Sequence, residues 1–192
     1  MFENRKLKKI KRLNKKAAKP EFKSAEIIKS LKIYENDKIV DIGCGGGYFT
    51  FKFSEEVGKK GKVYAVDMEP ECLDYVEDEA QEKGIKNVET VLVDGGLELE
   101  GGLNLVFLRN VFHHIEDPVN YFKHLKQFLA PDGRIAIIDY RKTRKINFVN
   151  IFGHHTPEEE ILKVMEKSGY VPSEKFDFLS SQSFVIFKSV KG

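Results

Sequence analysis

The stretch from Lys38 to Thr50, KIVDIGCGGGYFT, restricts the fold more than any other part of the chain. Ile39 to Ile42 is a short β-branched run interrupted by one acid, and glycines follow at the alternate positions 43, 45 and 47. A helix-compatible segment begins at once, so the stretch reads as a buried strand, a tight turn and a helix N-terminus. Glycine suits such a turn because positive φ, or contact between a ligand and the backbone, leaves no room for a Cβ. The helix start adds unpaired N–H groups and partial positive charge. The turn is therefore a cradle for a ligand. A dinucleotide-binding turn has the spacing G-x-G-x-x-G, and counted from Gly43 its third glycine falls on Tyr48.

Around this turn, strand and helix patterns alternate. Lys19-Pro20 interrupts the N-terminal segment, because proline disfavours helical geometry in the residue before it. A helix over Glu21 to Leu31 follows, with Phe22, Ala25, Ile28 and Leu31 on one face, and Glu35-Asn36-Asp37 turns into the first strand. Further strands are expected at Gly61 to Asp67, Val88 to Val93, Leu103 to Leu108 and Gly133 to Asp139, with helices at Pro70 to Lys83 and Pro118 to Leu129. Leu103, Leu105, Val106, Phe107 and Leu108 are apolar on both faces, as in a sheet covered by helices on each side. Thr156-Pro157-Glu158-Glu159 places a hydroxyl cap, a first-turn proline and first-turn acids in order. That helix runs to about Ser168 and stops at Gly169, and two strands follow near Val171 to Phe178 and Ser183 to Lys188. At 192 residues and 41% hydrophobic content, the expectation is one α/β domain. No apolar run is long enough to span a bilayer or to act as a secretion signal, so a cytoplasmic protein is expected. Cys44 and Cys72 are too few for a disulfide framework or a zinc site, and no metal is expected.

Twenty positions after Gly47, Asp67 stands at the carboxyl end of the second strand. A carboxylate there can accept hydrogen bonds from both hydroxyls of a ribose. Asp94-Gly95 ends the third strand, Leu108-Arg109-Asn110-Val111-Phe112-His113-His114-Ile115 ends the fourth, and Leu129 to Arg134 precedes the fifth. In this order, with Asp41, Gly43, Gly45 and Gly47 as an acid followed by G-x-G-x-G, the chain resembles the class I S-adenosylmethionine-dependent methyltransferases from Lys23 to Lys188. It is most similar to the small-molecule group that includes the quinone-biosynthesis C-methyltransferases, whose loop-helix segment Gly153 to Glu159 matches. The resemblance implies a Rossmann-like seven-stranded mixed sheet in the order 3-2-1-4-5-7-6, the last strand antiparallel, with helices on both faces. It implies S-adenosylmethionine as cofactor, held by Asp41, Gly43, Cys44, Gly45, Tyr48, Asp67, Met68, Asp94, Gly95, Arg109 and Asn110, with Asp94 at the adenine. The activity implied is methyl transfer to a small-molecule acceptor, leaving S-adenosylhomocysteine. Alternatives are an RNA or lipid-quinone methyltransferase, a non-catalytic cofactor-binding partner subunit, and a nicotinamide oxidoreductase, which Tyr48 disfavours. Arg109-Asn110-Val111-Phe112 stands where enzymes methylating base or glutamine nitrogens carry Asn/Asp-Pro-Pro-Tyr.

In-line displacement needs a general base only where the acceptor keeps its proton. His113, His114, His154 and His155 are candidates because imidazole titrates near neutrality, with Asp139 and Tyr140 placed at a strand end; His114 and His154 are singled out as catalytic. Adjacent histidines point to different sides of a strand or helix, so neither pair chelates one metal. The Glu21 to Leu31 helix and the Lys145 to His155 connection are expected to wall the acceptor cavity.

Charge is distributed unevenly. Residues 1–23 carry ten Lys or Arg against Glu3 and Glu21, and the remainder carries 22 basic and 28 acidic residues, so the arm is near +8 and the body near −6. Leu7, Ile10, Leu13 and Ala17 recur at intervals of three or four, the spacing of an amphipathic helix. The reading is a basic arm over residues 1–20, folded as a lid over the cofactor cleft, and one domain over 21–192. Apart from Phe2 and Phe22 the arm has no aromatic residue, hence no stacking platform for single-stranded RNA, and nucleic acid is the less favoured partner.

Overall fold

The computed structural model describes residues 2–93, 97–141 and 156–190. Its strands are β1 (Lys38–Ile42), β2 (Lys62–Asp67), β3 (Val88–Leu92), β4 (Leu103–Arg109), β5 (Leu129–Tyr140), β6 (Tyr170–Phe176) and β7 (Gln182–Ser189). Its α-helices are α1 (Phe2–Ala17), α2 (Ser24–Leu31), α3 (Tyr48–Val57), α4 (Pro70–Glu82), α5 (Pro118–Leu125) and α6 (Glu158–Lys167). The strands form one sheet in the order β3-β2-β1-β4-β5-β7-β6, as the resemblance implies. β7 runs antiparallel to both β5 and β6, whereas the β1/β2, β2/β3 and β4/β5 pairs are parallel. The chain gathers into two compact units, Met1–Glu98 and Leu99–Gly192.

In the first unit, Ile39 to Ile42 and Val63 to Val66 are buried at every position. Successive strand side chains face opposite ways, so both faces of β1 and β2 are covered. α3 and α4 pack on β2 and β3. α3 contributes Phe49, Phe53 and Val57 at every fourth position, and α4 contributes Leu73, Val76 and Ala80. The apolar stripe of α1 is narrower than its spacing suggests: Ile10 is 4% exposed, but Leu7 and Leu13 are 41% and 43% exposed. α1 lies along α4, where Lys6 pairs with Glu69 at 3.8 Å and with Glu71. The second helix begins three residues later than the sequence reading has it. Pro20–Phe22 closes as a 3-10 turn and Lys23 takes a left-handed conformation, so Ser24 opens α2 and its hydroxyl donates to the Ala17 carbonyl at 2.6 Å.

In the second unit, α5 is capped by Asp117, which accepts from the Asn120 N–H, and ends at Leu125 rather than near Leu129. A 3-10 turn over Lys126–Phe128 buries Phe128, and β5 starts at Leu129, four residues before the expected Gly133. The Pro131-Asp132-Gly133 segment is absorbed as a bulge opposite Leu103 and Leu105, a place where an extra residue bends the strand without ending it. Thr156 does not cap α6. Pro157 occupies the cap position, Glu158, Glu159 and Glu160 fill the first turn, and Gly169 follows at φ +83°. β6 is an edge strand with Pro172 and an exposed Lys175, both of which discourage pairing with another chain.

Candidate active site

The glycine turn is fastened to β2 before any ligand is considered. The N–H groups of Gly43 and Cys44 both donate to the Val66 carbonyl, at 2.8 and 3.0 Å, and the Gly47 N–H donates to the Cys44 carbonyl at 2.9 Å. Gly43, Gly45 and Gly47 have φ of +69°, +54° and +75°, which a side chain would resist. The glycines differ in their surroundings. A Cβ on Gly47 would approach Val76 to 2.8 Å, whereas one on Gly45 would meet nothing within 4 Å. Gly45 therefore stands over open space that a ligand can enter. The neighbouring Gly46 carbonyl accepts from Asn14 Nδ2 of α1 at 2.5 Å, so the arm helix reaches this turn.

Asp67 sits beside the cradle at the end of β2. Its Oδ2 accepts from the Gly45 N–H at 2.8 Å and its Oδ1 from the Glu69 N–H at 3.1 Å. Each carboxylate oxygen can accept a second hydrogen bond, so the group is both fixed and unsaturated. Met68, the next residue, is 73% exposed. Cys44 Sγ lies 4.0 Å from Asp67 Oδ2, and burial, with Asp41 and Asp67 nearby, pushes its thiol well above the usual range. It stays a neutral thiol, so it is no nucleophile. Asp41 is only 4% exposed and accepts from Thr50 Oγ1 at 2.6 Å. This contact, which the sequence reading did not foresee, ties the end of β1 to the first turn of α3.

Burial pushes the Asp41 carboxyl up to about 7 from an ordinary 3.8. Its fold therefore favours the protonated form: the contribution is fully present below about pH 4 and is lost as pH rises to about 7, on the order of a few kcal/mol. Asp41→Asn is expected to flatten that decline, so its thermal midpoint should rise relative to the wild type between about pH 5 and pH 8. Parallel pH dependences for the two proteins would show that Asp41 does not titrate in the fold.

Tyr48 is half-buried at the start of α3, its ring edge-on to Phe49 with 5.3 Å between centroids. With Ala25, Ile28 and Lys29 of α2, and Lys52 of α3, it lines a cavity of about 540 Å³. This cavity is shared between α2 and α3. Asp94, Gly95, His154, His155 and the Lys145 to His155 connection lie outside the described residues.

The second unit holds a polar cluster at the ends of β4 and β5. Asn110 takes φ +59° and donates its N–H to the Ile138 carbonyl at 2.8 Å. Gln182, 3% exposed at the start of β7, accepts from Arg109 Nη2 at 3.3 Å and donates to Asn110 Oδ1 at 2.5 Å. Gln182 carries no signal of this role in the sequence, because only the antiparallel β5/β7 register, with Gln182 opposite Tyr140, brings it there. His113 Nδ1 lies 3.1 Å from both oxygens of Asp139, with side chains 7% and 0% exposed. Asp139 also accepts from the N–H groups of Tyr140 at 2.7 Å and His113 at 3.4 Å. Burial raises the Asp139 carboxyl, and the bond from His113 opposes that rise. The exposed His114 packs its ring 4.1 Å from that of His113. The carboxylate contact thus falls on His113, the neighbour of the His114 singled out from the sequence. Among the described residues, no group of three or more His, Cys, Asp or Glu is arranged to hold a metal, and no helix is long and apolar enough to cross a membrane.

Open space at Gly45, a fixed carboxylate with acceptor capacity to spare and a positive helix end are together what a ribose-bearing cofactor with a charged tail requires. The chain matches the family model described as a methyltransferase domain over residues 33–172. It is 26% identical over 172 residues to the mitochondrial ubiquinone biosynthesis O-methyltransferase of Schizosaccharomyces pombe, covering 84% of this chain and 60% of that protein. It is 27% identical over 124 residues to the demethylmenaquinone methyltransferase of Lactococcus lactis subsp. lactis, covering 59% and 49%. The chain thus spans half to three-fifths of the length of these curated relatives. A crystal structure of a SAM-dependent methyltransferase from Aquifex aeolicus is similar at a TM-score of 0.84 and 25% identity, over 95% of this chain and 98% of that one. With its strand order, its acid-glycine turn and a family match over most of its length, this chain belongs to the methyltransferase-domain family and has the Rossmann-like fold of the S-adenosylmethionine-dependent methyltransferases.

Proposed function

We propose that the chain transfers the methyl group of S-adenosylmethionine to a hydroxyl of a small-molecule acceptor. The observation that carries the reading is the brace between Asp67 and the Gly45 N–H at the rim of the open cradle. S-adenosylmethionine, when bound, supplies a methyl group already activated on a sulfonium. Gly43 and Gly45 let the backbone approach it, Asp67 accepts from its ribose hydroxyls, and Asp94 and Gly95 serve the adenine. Asp41 and Thr50 hold the turn and the helix start in register. The rest of the protein's contribution is position, which is worth about 7–11 kcal/mol in well-oriented reactions, and removal of a proton from the acceptor. His113 is the base. Asp139 accepts from Nδ1–H, which fixes the tautomer and leaves Nε2 as the proton acceptor. The names of both relatives support an acceptor of the quinone-precursor type, and that of the ubiquinone biosynthesis O-methyltransferase supports methylation on oxygen.

Incubation with methyl-labelled S-adenosylmethionine and fractionated cell extract, followed by mass spectrometry, tests this reading. A labelled small molecule carrying one added methyl on oxygen is expected. Label found only in RNA or protein, or no label in any fraction despite tight cofactor binding, would overturn it in favour of another acceptor class or a non-catalytic subunit.

The turn glycines separate folding from binding. Gly47→Ala places a side chain at φ +75° and against Val76, so a loss beyond the left-handed backbone cost of about 1–2 kcal/mol is expected, read as a lower thermal midpoint. Gly45→Ala carries the backbone cost without the clash, but its methyl enters the cradle. Calorimetry should therefore find S-adenosylmethionine affinity reduced far more by Gly45→Ala than its stability loss accounts for. Unchanged affinity in a folded Gly45→Ala protein would move the cofactor away from this turn.

A further inference from the structure

α1 buries one side and presents the other, and the presented side is a row of cations. Taking about 100° per residue, Arg5, Lys8, Arg12 and Lys15 all lie within roughly 40° of the direction opposite the buried Ile10, and all four are exposed. Lys9 and Lys11 stand exposed on the flanks of this row. From Arg5 to Lys19 the chain contains no Asp or Glu. None of the carboxylates among the described residues forms an ion pair with Arg5, Lys8, Arg12 or Lys15; the pairs at this helix are made by Lys6, on its inner side, and by Lys19 beyond its end. The row is fixed in place from beneath by Ile10, by Lys6 on Glu69 and Glu71, and by Asn14 on the Gly46 carbonyl.

We propose that the outer face of α1 is a binding surface for the phosphate backbone of double-helical nucleic acid. Arg5 to Lys15 spans about 15 Å at 1.5 Å per residue, and one strand of a duplex presents roughly four phosphates over that length at about 3.4 Å each. Four cations in a line meet four phosphates. The rest of the chain is near −6, so its net field favours approach of a polyanion to this helix. The row has no aromatic side chain on which an unstacked base can rest, which selects a duplex over a single strand. A lipid surface fits less well. An interfacial helix leads with its apolar side, whereas Leu7 and Leu13 flank the buried side, about 60° from Ile10, and the outermost positions carry only charge. This surface does not depend on the proposed reaction, and the inward-facing residues that touch the glycine turn are not part of it.

Fluorescence anisotropy of the full chain with a labelled random-sequence DNA duplex, and with its RNA counterpart, across a salt series is the test. The logarithm of affinity should fall with the logarithm of salt at a slope of about −3 to −5, so that affinity drops roughly 60-fold to 1,000-fold between about 50 and 200 mM. The quadruple variant Arg5→Gln, Lys8→Gln, Arg12→Gln, Lys15→Gln should lose most of that slope while keeping its thermal midpoint. A control with the same treatment of Lys59 and Lys60, on the loop before β2, should retain it. Absence of duplex binding at low salt, an unchanged slope in the folded quadruple variant, or stronger binding to vesicles containing phosphatidylglycerol than to either duplex would overturn the proposal, the last in favour of a membrane.

Discussion

Replacing Asp67 with alanine is expected to lower the affinity for S-adenosylmethionine at least tenfold, and towards several hundredfold if both ribose hydroxyls depend on it. Hydrogen bonds to a charged group contribute about 1.5–3 kcal/mol each, and about 1.4 kcal/mol is a factor of ten. The substitution acts in two ways. It removes the proposed ribose acceptors, and it also releases the Gly45 and Glu69 N–H groups from their partner, loosening the cradle. Asp67→Asn separates the two contributions, because an amide keeps the shape but only one acceptor oxygen. Its affinity should fall between those of the wild type and Asp67→Ala. Calorimetry on folded protein reads both, and equal affinity across the three proteins would sink the assignment of the cofactor to this carboxylate.

His113→Gln is expected to leave cofactor affinity unchanged and to reduce turnover on the hydroxyl acceptor roughly a hundredfold or more, the usual contribution of a positioned general base. Asp139→Asn should act through His113. Asp139 accepts three hydrogen bonds, from two backbone N–H groups and the imidazole, and an amide there brings a donor against Nδ1 that favours the wrong tautomer. Activity of His113→Gln should recover as pH rises, since the acceptor hydroxyl then ionises without help, and that recovery is what a merely structural role for His113 would not produce. Full turnover of His113→Gln at neutral pH would exclude it as the base. His114→Gln is the matched control, expected to stay near wild-type activity.

Most of the fold was legible in the residue order because its signals are local. The run Ile39 to Ile42, the glycines after it and the acid at Asp67 announce a strand, a turn and a second strand through short-range sterics, and each stands where expected. The sheet order followed from the resemblance and from the closing hairpin. Boundaries were less legible where proline or glycine has more than one use. Pro20 begins a 3-10 turn that delays α2 to Ser24, Pro157 caps α6 in place of Thr156, and Gly133 sits in a bulge inside β5 instead of at its start.

The sequence by itself determined the elements, the left-handed glycine turn and the carboxylate at the end of the second strand, because backbone propensity and hydrophobic period act between residues a few positions apart. Only the tertiary structure decided which side chains meet. Asp41 found Thr50, and Asn14 found the Gly46 carbonyl through a helix that exposes Leu7 and Leu13. Gln182 reached Asn110 across 72 positions, and Asp139 found His113. Two adjacent histidines are equivalent in composition and spacing. What sets His113 against a buried carboxylate on the neighbouring strand is the β4/β5 register, which no local interaction fixes.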